Sequence, residues 1–186
     1  SLGGLIDRTR FAMSTEETRY YLNGIYLHAT SDEGPACLRA VATDGHRLAR
    51  VDTALPAGAA DIPGIIVPRK TVGEVRKLIE ESEGEVMIGL SDSKIRFALD
   101  GAILTSKLID GSFPDYERVI PAGNDKIMTV DNKSFVQAVD RVSTISTEKS
   151  RAIKVTLEDS VMTLSATSPD AGAASEELEA QYNLEK

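Results

Sequence analysis

A chain of 186 residues with a formal net charge of −8 is longer than an average domain and shorter than two. Its acidity excludes a protein that grips nucleic acid over its whole surface, because phosphate neutralisation needs clustered Lys and Arg. Hydrophobic residues at 41% are enough for a packed core; no apolar run approaches the roughly 18 residues that span a bilayer, and the single cysteine, Cys37, excludes an internal disulfide. With no signal-like N-terminal run, the expected location is the cytoplasm.

Along the chain, residues 5–13 carry Leu5, Ile6, Thr9 and Ala12 at helical spacing, on one face. Residues 19–30 are rich in aromatic and β-branched types and predict a strand, followed by turn-forming residues at 31–35. Strands are expected at 38–43 and 46–51, joined by Asp44-Gly45, because Asp-Gly between apolar runs favours the positive φ of a tight hairpin. A Pro/Gly/Ala loop at 54–64 leads to a short strand at 65–67. Pro68 then opens a helix through residue 82, with Val72, Val75, Leu78 and Ile79 as its apolar stripe. Strands follow at 85–90, 94–99 and 102–108, the last two turned by Asp100-Gly101. Residues 113–121 read as an irregular connection between domains. Beyond it come a strand at 127–130, a helix at 134–145 and strands at 152–157 and 161–166. A last strand at 175–182 is less well marked, because Glu176, Glu177 and Glu179 crowd it.

The same order, a helix and then three strands, begins near residues 5, 68 and 134. Ser14-Thr-Glu-Glu-Thr-Arg19 parallels Ser146-Thr-Glu-Lys-Ser-Arg151, and Ile6-Asp7-Arg8 parallels Val139-Asp140-Arg141. Two such units make one domain, 1–118, and the third begins a second, 119–186, that the chain does not finish. The expected fold is α+β, with duplicated helix-plus-antiparallel-strand units.

Two histidines and one cysteine offer no cluster with metal-ligand spacing, and no Gly-rich loop opens a helix as a phosphate cradle. Asp44 and His46 could form an acid–base pair, but residues two apart at a tight turn more commonly serve the turn itself. The reading is therefore no catalytic residue, no metal and no cofactor. Arg69, Lys70, Arg76 and Lys77 lie off the apolar stripe of the helix at 68–82, and Glu80, Glu81 and Glu83 come last. That order opposes the helix dipole, which favours acids first. Either this is a solvated face, or it is a basic surface for phosphates that Arg8 and Arg10 of the first helix would join.

Five short motifs, Tyr21-Leu-Asn-Gly24, Ala42-Thr-Asp-Gly-His-Arg-Leu-Ala49, Val67-Pro-Arg-Lys70, Thr105-Ser-Lys-Leu-Ile-Asp-Gly111 and Phe113-Pro-Asp-Tyr116, occur in order. Together they resemble the middle domain of bacterial DNA polymerase sliding clamps, the ring-forming beta subunit of the replicative DNA polymerase III holoenzyme. The resemblance extends over residues 5–182 and takes in the first part of the third clamp domain. It implies a processivity factor, not an enzyme, that encircles duplex DNA, with helices lining the hole and sheets outside. Two three-domain chains close such a ring; without a first domain, this chain is not expected to. The resemblance also implies a groove between the middle and third domains that takes linear peptides of polymerase and clamp-loader subunits. The matching positions are Leu22, Thr43, Gly45, His46, Arg47 and Leu48, with Pro114, Arg118 and Val119. Leu22, Leu48, Pro114 and Val119 would form the apolar floor; His46, Arg47 and Arg118 would orient a peptide at the rim. The DNA-facing residues would be Arg8, Arg10, Arg69, Lys70, Arg76 and Lys77, in weak, sequence-independent contact with phosphates. The competing readings are a small α+β enzyme built on Asp44, His46 and Arg47, and a peptide-binding module without a DNA role.

Overall fold

A computed structural model describes residues 1–31, 34–146 and 152–182 and divides the chain into two units, Ser1–Glu117 and Arg118–Lys186. Both combine helices with antiparallel sheets, an α+β architecture.

In the first unit, helix α1 (Leu2–Thr9) starts earlier than the apolar spacing predicts, because the Ser1 hydroxyl caps it by accepting from the Gly4 amide. Leu5, Ile6, Thr9 and Ala12 are all buried, as the spacing requires, although the helix tightens to a 3-10 turn over Arg10–Ala12. Thr9 is tolerated inside because its Oγ1 donates to the Leu5 carbonyl at 2.6 Å.

The expected strand at 19–30 is corrected at its first half. Glu17–Leu22 forms 3-10 turns with a kink at Arg19, and strand β1 is Gly24–Thr30. Local polar bonds win over strand propensity here. Arg19 pairs with both carboxylate oxygens of Glu16 (2.8 and 2.6 Å), and Asn23 Nδ2 donates to the Glu16 carbonyl at 3.1 Å. Strands β2 (Cys37–Thr43), β3 (Leu48–Ala54) and β4 (Ile65–Pro68) complete a sheet of order β3-β2-β1-β4. Pro68 is the N-cap residue of helix α2 (Arg69–Glu80), with φ −60° and ψ 146°, and not its first helical residue. It ends the edge strand β4, where a missing N–H breaks no ladder. Strands β5 (Met87–Leu90), β6 (Lys94–Leu99) and β7 (Ala102–Lys107) form a second sheet in that order.

Side chains alternate across each strand. Ile25, Leu27, Leu38, Ala40, Ala49 and Val51 join Leu5 and Ile6 of α1, Val72 and Val75 of α2, and Ile95, Phe97 and Leu99 of β6 in one core. On the opposite face of the first sheet, His28, Arg39 and Asp52 stand in register on β1, β2 and β3.

The two Asp-Gly sites differ. Leu99 pairs with Ala102, so Asp100 and Gly101 make a two-residue turn with both φ positive (31° and 85°). Thr43 pairs with Leu48, so the other loop has four residues, 44–47, and only Gly45 has positive φ (90°). His46 and Arg47 are therefore loop residues, not the start of the returning strand.

In the second unit, β8 (Met128–Val130) is followed by helix α3 (Asn132–Ser143), and β9 (Lys154–Glu158), β10 (Val161–Ser168) and β11 (Gly172–Tyr182) join β8 in a sheet of order β8-β11-β10-β9. Asp131 caps α3 by accepting from the Ser134 amide at 2.8 Å. Ala138 and Val142 of α3 pack on Met162, Leu164, Ala166 and Ala180. The final strand forms despite its acids. Glu177 and Glu179 point to solvent, and Glu176 is neutralised by Arg141 of α3. A helix leading into a three-strand antiparallel meander thus occurs three times, at α1, α2 and α3. The second copy of the hexapeptide repeat lies outside the described residues beyond Ser146. Among the described residues no helix is long and apolar enough to cross a membrane.

Candidate functional site

The β2–β3 loop is built by its own side chains. Asp44 Oδ1 accepts from the amides of His46 (2.9 Å) and Arg47 (3.0 Å), and Oδ2 accepts from Arg47 Nε (3.0 Å). Thr43 Oγ1 accepts from the Gly45 amide (3.1 Å) and donates to the Arg47 carbonyl (2.8 Å). Partial burial pushes the Asp44 carboxyl up. The two amides and the Arg47 guanidinium outweigh this and hold it below the usual carboxylate range. A carboxylate so committed is a weak base, which argues against an acid–base pair with His46. The loop leaves His46 and Arg47 exposed.

The loop is seated on the segment between α1 and β1. A side chain at Gly45 would collide with the Arg19 guanidinium. The Arg47 guanidinium lies 5.7 Å from the ring centre of the exposed Phe11. From the other direction, residues 109–117 arrive as a strap on the face of the first sheet that points away from the helices. Ile109 donates its amide to the Ile66 carbonyl (3.0 Å). Gly111 packs so closely on Tyr20 and Tyr21 that an added Cβ would stand 3.2 Å from the Tyr21 Cβ. Phe113 stacks on Tyr26 with ring centres 4.8 Å apart and planes within 6°. Tyr116 Oη lies 3.0 Å from His28 Nε2.

Beneath the strap, Arg39 is 1% exposed. Its guanidinium donates to both oxygens of Asp52 (2.9 and 3.1 Å), and Nη1 donates to Tyr116 Oη (3.3 Å) and Glu117 Oε1 (3.1 Å). The hydrogen bond from Arg39 lowers the Asp52 carboxyl, and the same pairing raises Arg39 against the opposing effect of its burial. Burial pushes the Tyr116 phenol up.

Among the peptide-groove candidates, Leu22 is buried, Thr43 is locked in the turn, and Leu48 is half-buried at the start of β3. Gly45, His46, Arg47 and Pro114 are exposed, Pro114 between the two anchored rings of the strap. Residues 10–23 thus bring the hairpin tip and the strap to one part of the first unit. Arg118 and Val119 belong to the second unit, where Val119 is 68% exposed. No motif in the sequence marks Phe11, Arg19 or Arg39 as site residues. An arginine inside the apolar run 38–43 was the available signal for the last.

The six basic candidates on α1 and α2 are not equivalent. Arg76 reaches from α2 to both carboxylate oxygens of Asp7 on α1 (2.8 and 2.9 Å) and approaches Glu80 at 3.7 Å. Arg10 shares Asp7 at 3.4 Å, and Lys77 pairs with Glu74 at 3.2 Å. Arg8, Arg69 and Lys70 are exposed and have no carboxylate partner among the described residues. In the same residues no group of three His, Cys, Asp or Glu gathers as a metal site.

Residues 1–115 match the family model of the DNA polymerase III beta subunit, central domain, and residues 117–186 that of its C-terminal domain. The beta sliding clamp of Caulobacter vibrioides is 56% identical over 181 residues, 97% of this chain and 49% of that protein. That of Pseudomonas aeruginosa is 42% identical over 179 residues, 96% of this chain and 48% of that protein. Among solved structures, a sliding clamp (DNA polymerase III subunit beta) from Bartonella birtlesii, bound to griselimycin, superposes with TM-score 0.94 at 55% identity. It is covered to 50% by 99% of this chain. The chain spans about half the length of the curated relatives it matches.

Proposed function

The chain belongs to the DNA polymerase III beta subunit family, and from that membership we propose that it acts as part of a DNA sliding clamp. In this reading it is the middle domain and part of the third domain of a processivity factor. That protein encircles duplex DNA and presents an apolar groove to linear peptides of polymerase and clamp-loader subunits. It is an accessory subunit and turns over no substrate. The observation that best supports the peptide role is the seating of the Asp44–Arg47 loop and the strap on one segment, residues 10–23. In this reading His46 and Arg47 are polar contacts and Leu48 and Pro114 apolar ones; Leu22, which is buried, and Arg118 and Val119 are assigned to the groove by resemblance.

Burial of one leucine or phenylalanine anchor contributes about 1.5–3 kcal/mol before ordering costs. Titration of a labelled peptide with such anchors is expected to give saturable binding that Leu48→Asp abolishes. Equal binding by the variant would remove this surface from the reading, and unfolding of the variant would mark Leu48 as core.

For DNA, Arg8, Arg69 and Lys70 are the residues available to phosphates, whereas Arg76 acts mainly as a strut between α1 and α2. Replacing the three with glutamine in the ring-forming protein is expected to reduce retention on DNA equally for all sequences. Loss confined to one sequence would instead mean base readout.

A further inference from the structure

The network around Arg39 takes no part in the surfaces just described, yet it holds the strap that carries one of their residues. We propose that Arg39, Tyr116 and Glu117 are positioning residues for peptide binding. They fix the strap on the sheet and so present Pro114 in place before a peptide arrives. The proposal rests on the peptide-groove reading.

Three observations carry it. First, side chains hold this part of the strap. Among the described residues, the last main-chain hydrogen bond from the strap to the sheet is Ile109 to Ile66. Beyond it, Phe113 is held by stacking on Tyr26, and Tyr116 and Glu117 by His28 and Arg39. Second, Pro114 is exposed while Phe113 and Tyr116 on either side are anchored, so its position follows from theirs. Third, the choice of arginine is poor for stability alone. Burying a guanidinium carries a large desolvation cost, and replacing a whole buried ion pair with well-packed apolar side chains of similar volume is often neutral or stabilising. What the guanidinium supplies is direction. Two of its N–H groups engage Asp52 as a fork, which aims Nη1 at Tyr116 Oη and Glu117 Oε1. A strap held this way loses less conformational freedom on binding.

The test measures binding of a fluorescein-labelled peptide with leucine and phenylalanine anchors to the intact chain and to Tyr116→Phe, Glu117→Gln and Thr9→Val. Each titration is run at a temperature where circular dichroism shows the protein fully folded. Tyr116→Phe keeps the ring and removes the hydroxyl between His28 and Arg39. It is expected to weaken binding about 2–10-fold and to shift the ring resonances of Phe113 and Tyr26, which stack between the strap and the sheet. Thr9→Val removes a buried hydrogen bond in α1, lowers the melting temperature, and is expected to leave peptide affinity unchanged. Glu117→Gln provides a second reading if Tyr116→Phe does not fold. If the strap variants bind like the parent chain, the positioning role is wrong and the groove stands. Equal weakening by Thr9→Val would reduce the network to general stability and overturn the proposal. A parent chain that binds no peptide overturns the groove reading and this inference with it.

Discussion

The two faces of the sheet β3-β2-β1-β4 are covered by different chemistry. Toward the helices, Ile25, Leu27, Leu38, Ala40 and Val51 pack against α1, α2 and β6 with no polar partner to satisfy. Away from them, Tyr26, His28 and Arg39, the last aimed by Asp52, meet the strap through stacked rings and charged hydrogen bonds. The first face is non-directional and pays for most of the order in this unit, since hydrophobic burial scales with area. The second depends on angle and distance, and it fixes where one irregular segment lies. Burial sets stability on one side and geometry on the other.

The largest expected effect lies on the helix face. Ile25→Ala removes a side chain that is almost fully buried and should cost about 2–5 kcal/mol in urea unfolding. Arg39→Met comes next, at about 3 kcal/mol, the low end for breaking a buried ion pair. Asp52 and Glu117 are partly exposed and can rehydrate. The double variant Arg39→Met with Asp52→Leu should recover part of that loss, because removing both charges leaves none stranded. If the single variant costs more than Ile25→Ala, the assignment of stability to the apolar face is wrong.

A smaller effect isolates the stack. A double-mutant cycle on Tyr26→Leu and Phe113→Leu should give a coupling of about 1 kcal/mol. A coupling of zero would leave the parallel rings as mere neighbours. The smallest is pH dependence. The hydrogen bond from Arg39 lowers the native Asp52 carboxyl, against the effect of its partial burial. Its contribution is therefore complete above the ordinary carboxylate range near pH 4 and is lost as pH falls through that range toward the lowered native value. Thermal melts at pH 7 and at about pH 3, below the ordinary carboxylate value, should show a larger drop for the parent chain than for Asp52→Asn. An equal drop would mean that Arg39 and Asp52 are not paired in solution.

Much of this molecule follows from local sequence. The apolar spacing of Leu5, Ile6, Thr9 and Ala12 and of Val72 and Val75 determined which helix faces are buried, because a 3.6-residue period leaves one face for the core. Asp100-Gly101 determined a two-residue turn, since both residues tolerate positive φ. Asp44-Gly45 did not, although the dipeptide is the same. There the strands pair no closer than Thr43 with Leu48, and the Asp44 side chain satisfies the two amides that a shorter turn would have placed elsewhere. Strand propensity at 19–23 was likewise overruled by Glu16 and Asn23, whose polar bonds are invisible to a count of β-branched residues. The basic face was legible as a pattern of charge, but the partner of Arg76 is Asp7, 69 residues away. Only folding decides which arginines are left for a ligand. The least legible feature is the buried Arg39. An arginine inside an apolar strand reads as a solvent-facing alternation, and its actual partners come from β3 and from a short 3-10 turn that begins at Tyr116. Periodicity carries information about faces and none about distant partners, so the apolar core could be read from the chain, whereas the ionic network exists only where the tertiary structure brings its members together.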